Sequence, residues 1–499
     1  MDIQNIIKKT AKEKFNIDKL RPMQIKVMTN ILENYEEKEA NRLLVLLQTG
    51  GGKSLCFLLP SVIVEGLTVI VYPLLALMND QKRRLDELNI SSAIIEGGQT
   101  REERTLIFSS IRNKKIKTLI INPEALLNES VMNNLREFEI TLLVIDEAHT
   151  ICEWGLTFRP AYKELGERIN SLHIQQVLAF TATADQKTLK VLEEYLFFFG
   201  DYTIIRGGVD RENIIYHLRY SFSKDREINQ ILKDNSMRPA IVFCKSRNDT
   251  RISYHHFKSY DNKIDCYYYH AGLSKSEKTR IEEAFFKSDS AVLFSTIAFG
   301  LGMDKSNIRC VIHNTIINTN VLSFIQESGR GGRDGSIASS IVLFGAQEIE
   351  ALYSKKRGFK KKIRRELDVD LLKIYQSGKC IRNELCEYMG ESIEHCSGCD
   401  VCSSSTIKTF DGLNELIKLI FFHPFLYKED EIIGTLKGTK EYNIGCASYT
   451  LLSQWSYYDI HSLIKSCIKI NLLIVKKHKI ALNYLVMLKL KKILKQSSQ

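Results

Sequence analysis

The chain has 499 residues, a formal net charge of +11 and 44% hydrophobic residues. At about 150 residues per domain the length predicts three or four domains, and the apolar share excludes a disordered or fibrous chain. The positive charge favours a polyanionic partner such as nucleic acid, although a basic protein without such a partner has the same balance.

Neither a membrane span nor a secretory signal is recognisable. No apolar run reaches the roughly 20 residues that a span needs, and the polar segment Met1–Lys14 lacks a hydrophobic stretch. We therefore expect a cytoplasmic protein with no membrane partner. Five of the twelve cysteines lie between Cys380 and Cys402, and such crowding in a cytosolic chain favours a metal site over disulfides.

Short β-rich runs alternate with amphipathic stretches in two successive parts of the chain. The predicted strands of the first part are Leu43–Leu47, Thr68–Tyr72, Thr118–Asn122, Thr141–Ile145 and Gln176–Phe180. Those of the second, after Asp210, are Ala240–Cys244, Asp265–Tyr269, Ala291–Ser295 and Cys310–His313. This rhythm predicts two α/β domains, each a mostly parallel sheet with helices on both faces.

A candidate phosphate-binding loop follows the first predicted strand. Gln48–Ser54 reads Gln-Thr-Gly-Gly-Gly-Lys-Ser and precedes a predicted helix. Its backbone amides would wrap a phosphate, Lys53 would neutralise phosphate charge, and Ser54 would bind Mg²⁺. Leu47 stands where the general pattern has a glycine, so the loop is a variant. The alternative is a flexible glycine loop without a ligand. The cradle itself comprises Thr49, Gly50, Gly51 and Gly52.

Two carboxylates end a buried strand about 95 residues later. Leu142–His149 reads Leu-Leu-Val-Ile-Asp-Glu-Ala-His, and an α/β sheet places its ligand at the carboxyl ends of its strands. Asp146 would hold the Mg²⁺ and Glu147 would polarise the attacking water. An acidic strand end without chemistry is the alternative.

The cysteine cluster predicts a metal centre. Cys380 is followed by fifteen residues and then by Cys396, Cys399 and Cys402. Four thiolates can close a tetrahedral Zn²⁺ site, but the spacing of the last three is also that of ferredoxin ligands, so an iron–sulfur cluster is the rival. Cys386 and His395 are nearby and are interpreted as bystanders.

The motif set resembles the RecQ type of superfamily 2 helicases over roughly residues 10–485. The resemblance rests on the phosphate loop, on Asp-Glu-Ala-His at 146–149 and on further motifs in the family's order. These are Leu20–Gln24, Tyr72–Gln81, Asn122–Glu124, Thr181–Thr183, Phe243–Arg247, Tyr269–Leu273, Thr296–Lys305 and Gln326–Gly335. It implies a monomeric 3′-to-5′ DNA helicase of repair, recombination or replication that uses ATP and Mg²⁺. In a bacterium this helicase would be nucleoid-associated.

The resemblance also implies domains and residue roles. The domains are two RecA-like lobes (1–207 and 208–345), a zinc module (346–405) and a winged-helix domain (406–499), with no further C-terminal helical module. Arg21, Gln24, Gly302 and Asp304 join the nucleotide site. Gln326, Arg330 and Arg333 complete catalysis from the facing lobe, with Arg333 as the favoured arginine finger and Arg330 as its γ-phosphate partner. The zinc ligands are Cys380, Cys396, Cys399 and Cys402.

DNA contacts follow from the same resemblance, with single-stranded DNA and duplex junctions as partners. The candidates are Pro73, Asn79, Gln81, Trp154, Phe158, Arg159, Ser246, Arg247, Thr296, Lys437 and Lys440. Leu156-Thr157 replaces the family's usual His-Asp in the aromatic-rich loop, which predicts weaker coupling of DNA binding to ATP hydrolysis. The basic run Ser354–Arg365 is either a solvated linker or a phosphate contact. The alternatives to a DNA helicase are an RNA helicase or remodeller, and an ATP-binding nucleic-acid scaffold that does not unwind.

Overall fold

The computed structural model describes residues 2–48, 50–151, 166–182, 184, 186–197, 200–296, 305–317, 319–353, 369–404, 410–442 and 447–483. The chain divides into two units. The first contains Met1–Arg211 together with Cys386–Ile393, and the second contains Glu212–Phe299, Lys305–Leu385 and Glu394–Gln499.

A seven-stranded parallel sheet organises the first unit. Its strands are β1 (Asn41–Leu46), β2 (Leu67–Val71), β3 (Ser92–Ile95), β4 (Thr118–Ile121), β5 (Ile140–Ile145), β6 (Ile174–Thr181) and β7 (Thr203–Arg206). They lie in the order β3-β4-β2-β5-β6-β1-β7. The five strands predicted for this region are confirmed to within two residues at each end, whereas β3 and β7 were not predicted.

Both faces of this sheet are covered, as the continuous apolar strands require. Val69 and Val71 of β2 pack into one core, while Ile70 of the same strand packs into the other. β5 divides in the same way, with Leu143 on one side and Val144 on the other, because successive side chains of a strand point to opposite faces.

The helices of the first unit begin where the sequence supplies cap residues. Thr100 and Glu103 form a reciprocal capping box, and Pro22 occupies the first position of its helix, where its missing N–H costs nothing. The helices are Ile3–Phe15, Pro22–Glu36, Lys53–Ile63, Leu75–Glu87, Arg101–Arg112, Pro123–Leu126, Glu129–Leu135 and Gln186–Tyr195.

The second unit begins with a six-stranded parallel sheet. Its strands are β8 (Ile214–Tyr220), β9 (Ala240–Phe243), β10 (Cys266–Tyr269), β11 (Val292–Ser295), β12 (Cys310–His313) and β13 (Ala338–Phe344). They lie in the order β10-β11-β9-β12-β13-β8. The accompanying helices are Lys224–Lys233, Arg247–Tyr260, Lys275–Lys287, Val321–Ser328 and Ala346–Tyr353, with a 3₁₀ turn at Asn235–Met237. The predicted pair of α/β domains is confirmed, although β8 and β13 were not predicted.

The described residues after the second sheet are mainly helical. Val369–Gln376 and Ile381–Tyr388 flank the first cysteine of the cluster. The helices Leu413–Phe422, Glu429–Lys437 and Tyr457–Lys469 then precede an antiparallel hairpin of β14 (Leu473–Lys476) and β15 (Lys479–Leu482), and a 3₁₀ turn covers Lys440–Tyr442. The three helices and the hairpin pack around one core.

No helix within the described ranges is both long enough and apolar enough to cross a bilayer.

Candidate nucleotide site and cysteine centre

The glycine loop after β1 is held from the helix that precedes the strand. Arg21 donates from Nη1 to the carbonyl of Gly50 at 2.6 Å, and the amide of buried Gln24 lies 3.4 Å from the carbonyls of Gly51 and Gly52. The Arg21 N–H in turn donates to Oε1 of Gln24 at 2.9 Å. The two residues expected beside the nucleotide therefore contact the loop itself. Thr49 lies outside the described residues.

Two features favour glycine at position 52. Its φ of +78° is in the left-handed region, and a Cβ at this position would stand 2.2 Å from Nε2 of Gln24. Lys53 follows as the first residue of a helix and Ser54 as the second. The free N–H groups of this helix start point toward the loop, which is the arrangement that favours an anion.

The carboxylate pair lies at the end of β5, beside the same helix start. The Lys53 ammonium is 3.2 Å from Oε1 and 3.3 Å from Oε2 of Glu147, whose own φ of +50° is rare for a non-glycine residue. Asp146 is buried, and its Oδ1 accepts the Glu147 N–H at 2.9 Å. The structure thus brings together the two motifs that the sequence places about 95 residues apart.

Burial raises the pKa of Asp146 to about 7, and the neighbouring Glu147 carboxylate adds to this, while Lys53 acts in the opposite direction. A cation bound beside this carboxyl group would stabilise its ionised form, because it would offset the negative charge. Asp146 and the Ser54 hydroxyl are hard oxygen donors of the kind that Mg²⁺ prefers, so the residues present fit that ion.

The strand between the two motifs contributes a contact that the sequence did not predict. In the sheet, β6 separates β1 from β5. At its end, Oγ1 of Thr181 lies 2.9 Å from Nδ1 of buried His149, and this nitrogen is also 3.4 Å from Glu147. His149 therefore links the acidic strand end to the Thr181–Thr183 motif. The histidine of Asp-Glu-Ala-His could have been singled out from the sequence. Its partner could not, because the partner depends on the order of the strands in the sheet.

The predicted arginines belong to the second unit. Gln326 lies on the helix Val321–Ser328, and Arg330 and Arg333 lie in the turn that follows. Gly332 in this turn has a φ of +56°, and its N–H donates to the carbonyl of Ile308 at 2.8 Å. Arg330 is 7% exposed and Arg333 is half-buried. Gly302 and Asp304 lie outside the described residues.

The candidate DNA contacts differ in exposure. Asn79 and Arg247 are exposed, Thr296 is half-buried and Pro73 is buried. Gln81 is also buried. Ser246 caps the helix Arg247–Tyr260 by accepting the Asp249 N–H at 3.1 Å. Lys437 donates to the carbonyl of Trp455 at 3.2 Å. Trp154, Phe158, Arg159, the Leu156-Thr157 pair, the run Ser354–Arg365 and the side chain of Lys440 lie outside the described residues.

Four cysteine sulfurs converge in the second unit. The Sγ atoms of Cys380, Cys396, Cys399 and Cys402 all lie within 4.8 Å of one another. Four ligands on one tetrahedral zinc, at about 2.3 Å from the metal, stand about 3.8 Å apart, so the cluster has the size that suits a single ion. It includes neither His395 nor Cys386, which is buried elsewhere. Although burial raises the pKa of Cys399, backbone N–H groups of Cys402 and Ile381 bring it down to about 7, which favours the thiolate that a metal needs.

The cysteine centre is attached to the edge strand β8. The Tyr216 N–H donates to the carbonyl of Gly398 at 3.3 Å, and the Asp400 N–H donates back to the carbonyl of Tyr216 at 3.1 Å. Buried Asp400 also accepts the Leu218 N–H at 2.9 Å and lies 2.7 Å from Nδ1 of His217. These bonds extend the parallel sheet by one short segment. They were not predicted, because β8 was missed and its three-residue partner segment is too short to have a strand pattern.

Comparison with known proteins finds two helicase regions in the chain. Residues 21–192 match the DEAD/DEAH box helicase family, and residues 223–335 match the helicase conserved C-terminal domain. The ATP-dependent DNA helicase RecQ of Pasteurella multocida is 31% identical over 386 residues, which cover 76% of this chain and 60% of that protein. The protein of the same name from Bacillus subtilis is 31% identical over 371 residues, covering 72% of this chain and 61% of that protein.

The chain thus spans about three fifths of the length of these curated relatives. Among solved structures, the DUF1998 helicase MrfA bound to DNA has a TM-score of 0.59 at 16% identity, covering 98% of this chain and 64% of that one. At this identity the likeness shows the shared fold alone. The two helicase family regions and the similarity to the RecQ proteins over about three quarters of this chain group it with the RecQ-type helicases of superfamily 2.

Proposed function

We propose that the protein is an ATP-dependent DNA helicase that moves 3′-to-5′ on single-stranded DNA and unwinds duplex DNA. The observation that carries the proposal is the approach of Lys53 to Glu147 at 3.2 Å, beside buried Asp146 at the carboxyl edge of the first unit's sheet. The curated relatives are named as DNA helicases, which favours DNA over RNA as the substrate. Repair, recombination or replication is the corresponding cellular role.

The proposed chemistry assigns one task to each side chain. Arg21 and Gln24 hold the loop and read the base, and Lys53 neutralises the terminal phosphates. When bound with ATP, Mg²⁺ would sit on Ser54 and Asp146 and share the negative charge of the phosphates. Glu147 orients the attacking water and accepts its proton. Gln326, Arg330 and Arg333 stabilise the remaining negative charge of the transition state.

We also propose that the four cysteines hold one structural Zn²⁺. The size of the sulfur cluster supports a single ion, whereas an iron–sulfur cluster spreads its ligands around several metals. The four-domain division at residues 207, 345 and 405 belongs to the same proposal, as does a monomeric enzyme that acts on single-stranded DNA and duplex junctions.

Unwinding of a labelled duplex with a 3′ single-stranded tail, with ATP and Mg²⁺, tests the proposal. Wild type should separate the strands, while Lys53→Ala and a 5′-tailed duplex should give no product. Equal activity on an RNA duplex would favour the RNA alternative. If wild type hydrolyses ATP but separates nothing, the chain is a translocase or scaffold, and the Leu156-Thr157 departure is the first residue pair to exchange.

A further inference from the structure

A histidine and a glutamate form a buried pair between the second unit's parallel sheet and the helix that carries Gln326. His313 ends β12, an interior strand, and Nε2 of its ring lies 2.8 Å from Oε2 of Glu327 on the helix Val321–Ser328. His313 has no exposed surface, and Glu327 is 4% exposed. The pair therefore joins the carboxyl end of a central strand to the last turn of this helix.

Two aromatic side chains restrict the imidazole of His313. Its ring centre lies 5.5 Å from that of Phe243 on the neighbouring strand β9 and 4.6 Å from that of Phe324 on the helix. Both phenylalanines are buried. Because closely packed side chains have few orientations available to them, the bond from His313 to Glu327 holds the end of the helix at a defined position on the sheet.

Stability alone does not account for this pair. Nδ1 of His313 and Oε1 of Glu327 are buried atoms without a hydrogen-bond partner among the described residues. A buried polar atom left without a partner lowers stability, and replacing both members of a buried polar pair by apolar groups is often nearly neutral or stabilising. A pair with these costs is better explained by the position that it gives to neighbouring groups.

The neighbouring groups are those proposed to act on the transition state from the second unit. Gln326 directly precedes Glu327, and the N–H of Arg330 donates to the backbone carbonyl of Glu327 at 3.2 Å. The turn that carries Arg330 and Arg333 thus begins at the residue that His313 holds. Groups that stabilise a transition state must lie within about 0.5 Å of their productive positions, so a shift of Glu327 would displace them.

We propose that His313 is a positioning residue for ATP hydrolysis. Through Glu327 it holds Gln326 and the turn with Arg330 where these groups can stabilise the transition state. The inference rests on the proposed function, because it takes Arg330 as a catalytic group. His313 itself lies outside every motif that predicted the site.

Steady-state ATP hydrolysis with Mg²⁺ and single-stranded DNA tests the inference. His313→Ala should lower kcat by about tenfold to a hundredfold, the range that a small misplacement of catalytic groups produces. The KM for ATP should stay within about twofold, because the phosphate loop belongs to the first unit. His313→Gln, whose amide can still donate to Glu327, should recover part of the loss.

A double variant identifies the residue through which His313 acts. In the Arg330→Ala background, His313→Ala should lower kcat by less than about twofold further, because residues that act as a unit do not have additive effects. Leu232→Ala removes a side chain with no exposed surface from a core of the same unit. It is the control for lost stability and should keep the wild-type kcat at a temperature where the variant is folded.

Three results would overturn the inference. The first is a kcat of folded His313→Ala within about twofold of wild type. The second is a loss that multiplies in full with that of Arg330→Ala. The third is the same loss in Leu232→Ala at a matched thermal midpoint, since His313 would then act through stability. If wild type hydrolyses no ATP, the proposed function fails and the inference fails with it, whereas an active wild type with an unaffected His313→Ala overturns the inference alone.

Discussion

Lys53 and Glu147, 94 positions apart in the sequence, form a half-buried ion pair at 3.2 Å. The pair joins the phosphate loop to the carboxylate that is proposed to orient water. Glu147→Gln keeps the size of the side chain but removes the base. We expect ATP binding to persist and hydrolysis to fall by roughly 10²–10⁴-fold.

Single-turnover hydrolysis, beside titration with a fluorescent ATP analogue, checks this expectation. Glu139→Gln, an exposed position in the same unit, should behave as wild type. Hydrolysis at the wild-type rate in Glu147→Gln would show that another residue activates the water.

Gly52→Ala tests the fit between the loop and the preceding helix. The new Cβ would stand 2.2 Å from the Gln24 amide, which must then shift, and alanine would have to hold a φ of +78° that it rarely adopts. We expect the KM for ATP to rise roughly tenfold or more, the range that backbone strain of about 1–3 kcal/mol produces. Gly97→Ala is the control, since a Cβ there meets no atom within 4 Å. Unchanged KM in Gly52→Ala would mean that the loop has room to adjust.

Much of the fold was predictable because buried parallel strands are continuous apolar runs. β5, Ile-Thr-Leu-Leu-Val-Ile, is of this kind. The missed strands lack that signal. β3 and β7 are four-residue edge strands, and β13 begins Ala-Ser-Ser, small residues that are typical of turns as well. β8 alternates buried and half-buried residues, which is the period of two that a half-buried strand has, so this strand could have been predicted.

The features of the site also divide into those that the sequence predicts and those that it does not. Residue types identified Lys53, Asp146, Glu147 and the four cysteines, because the chemistry needs those groups at those spacings. The contact of His149 with Thr181 and the attachment of Asp400 to β8 were not predictable. Both depend on which strands become neighbours, and sequence spacing carries no record of that.

Cys399→Ser tests the metal centre. Loss of one of four thiolates should abolish high-affinity zinc binding and lower the thermal midpoint, since the binding free energy of a structural zinc is folding free energy. Metal analysis should find one zinc per wild-type chain and none in the variant. Cys386→Ala, at a buried cysteine outside the cluster, should keep its zinc. Iron with inorganic sulfide and visible absorption in the wild type would instead establish the iron–sulfur alternative.

A second ion pair, Lys224 with Glu348, is central to the stability of the second unit. The Lys224 ammonium lies 2.9 Å from a Glu348 carboxylate with no exposed surface, which also accepts from the Gly345 N–H and the Thr315 hydroxyl. Glu348→Ala leaves a largely buried lysine without its carboxylate. We expect a loss of about 3–5 kcal/mol in the free energy of unfolding, measured by denaturant titration at pH 7.

The pH dependence of this pair has a definite sign. Burial raises the pKa of Glu348, but Lys224 and the hydrogen bonds outweigh it, so the folded-state pKa lies below the usual value. The contribution of Glu348 is therefore full above its unfolded pKa of about 4.3 and is lost as the pH falls through the folded pKa. The gap between wild type and Glu348→Ala should narrow below about pH 4. Asp86→Ala breaks the exposed pair with Lys82 and should lower the free energy of unfolding by at most about 1 kcal/mol at any pH. An equal loss of stability in the two variants would refute the role assigned to burial.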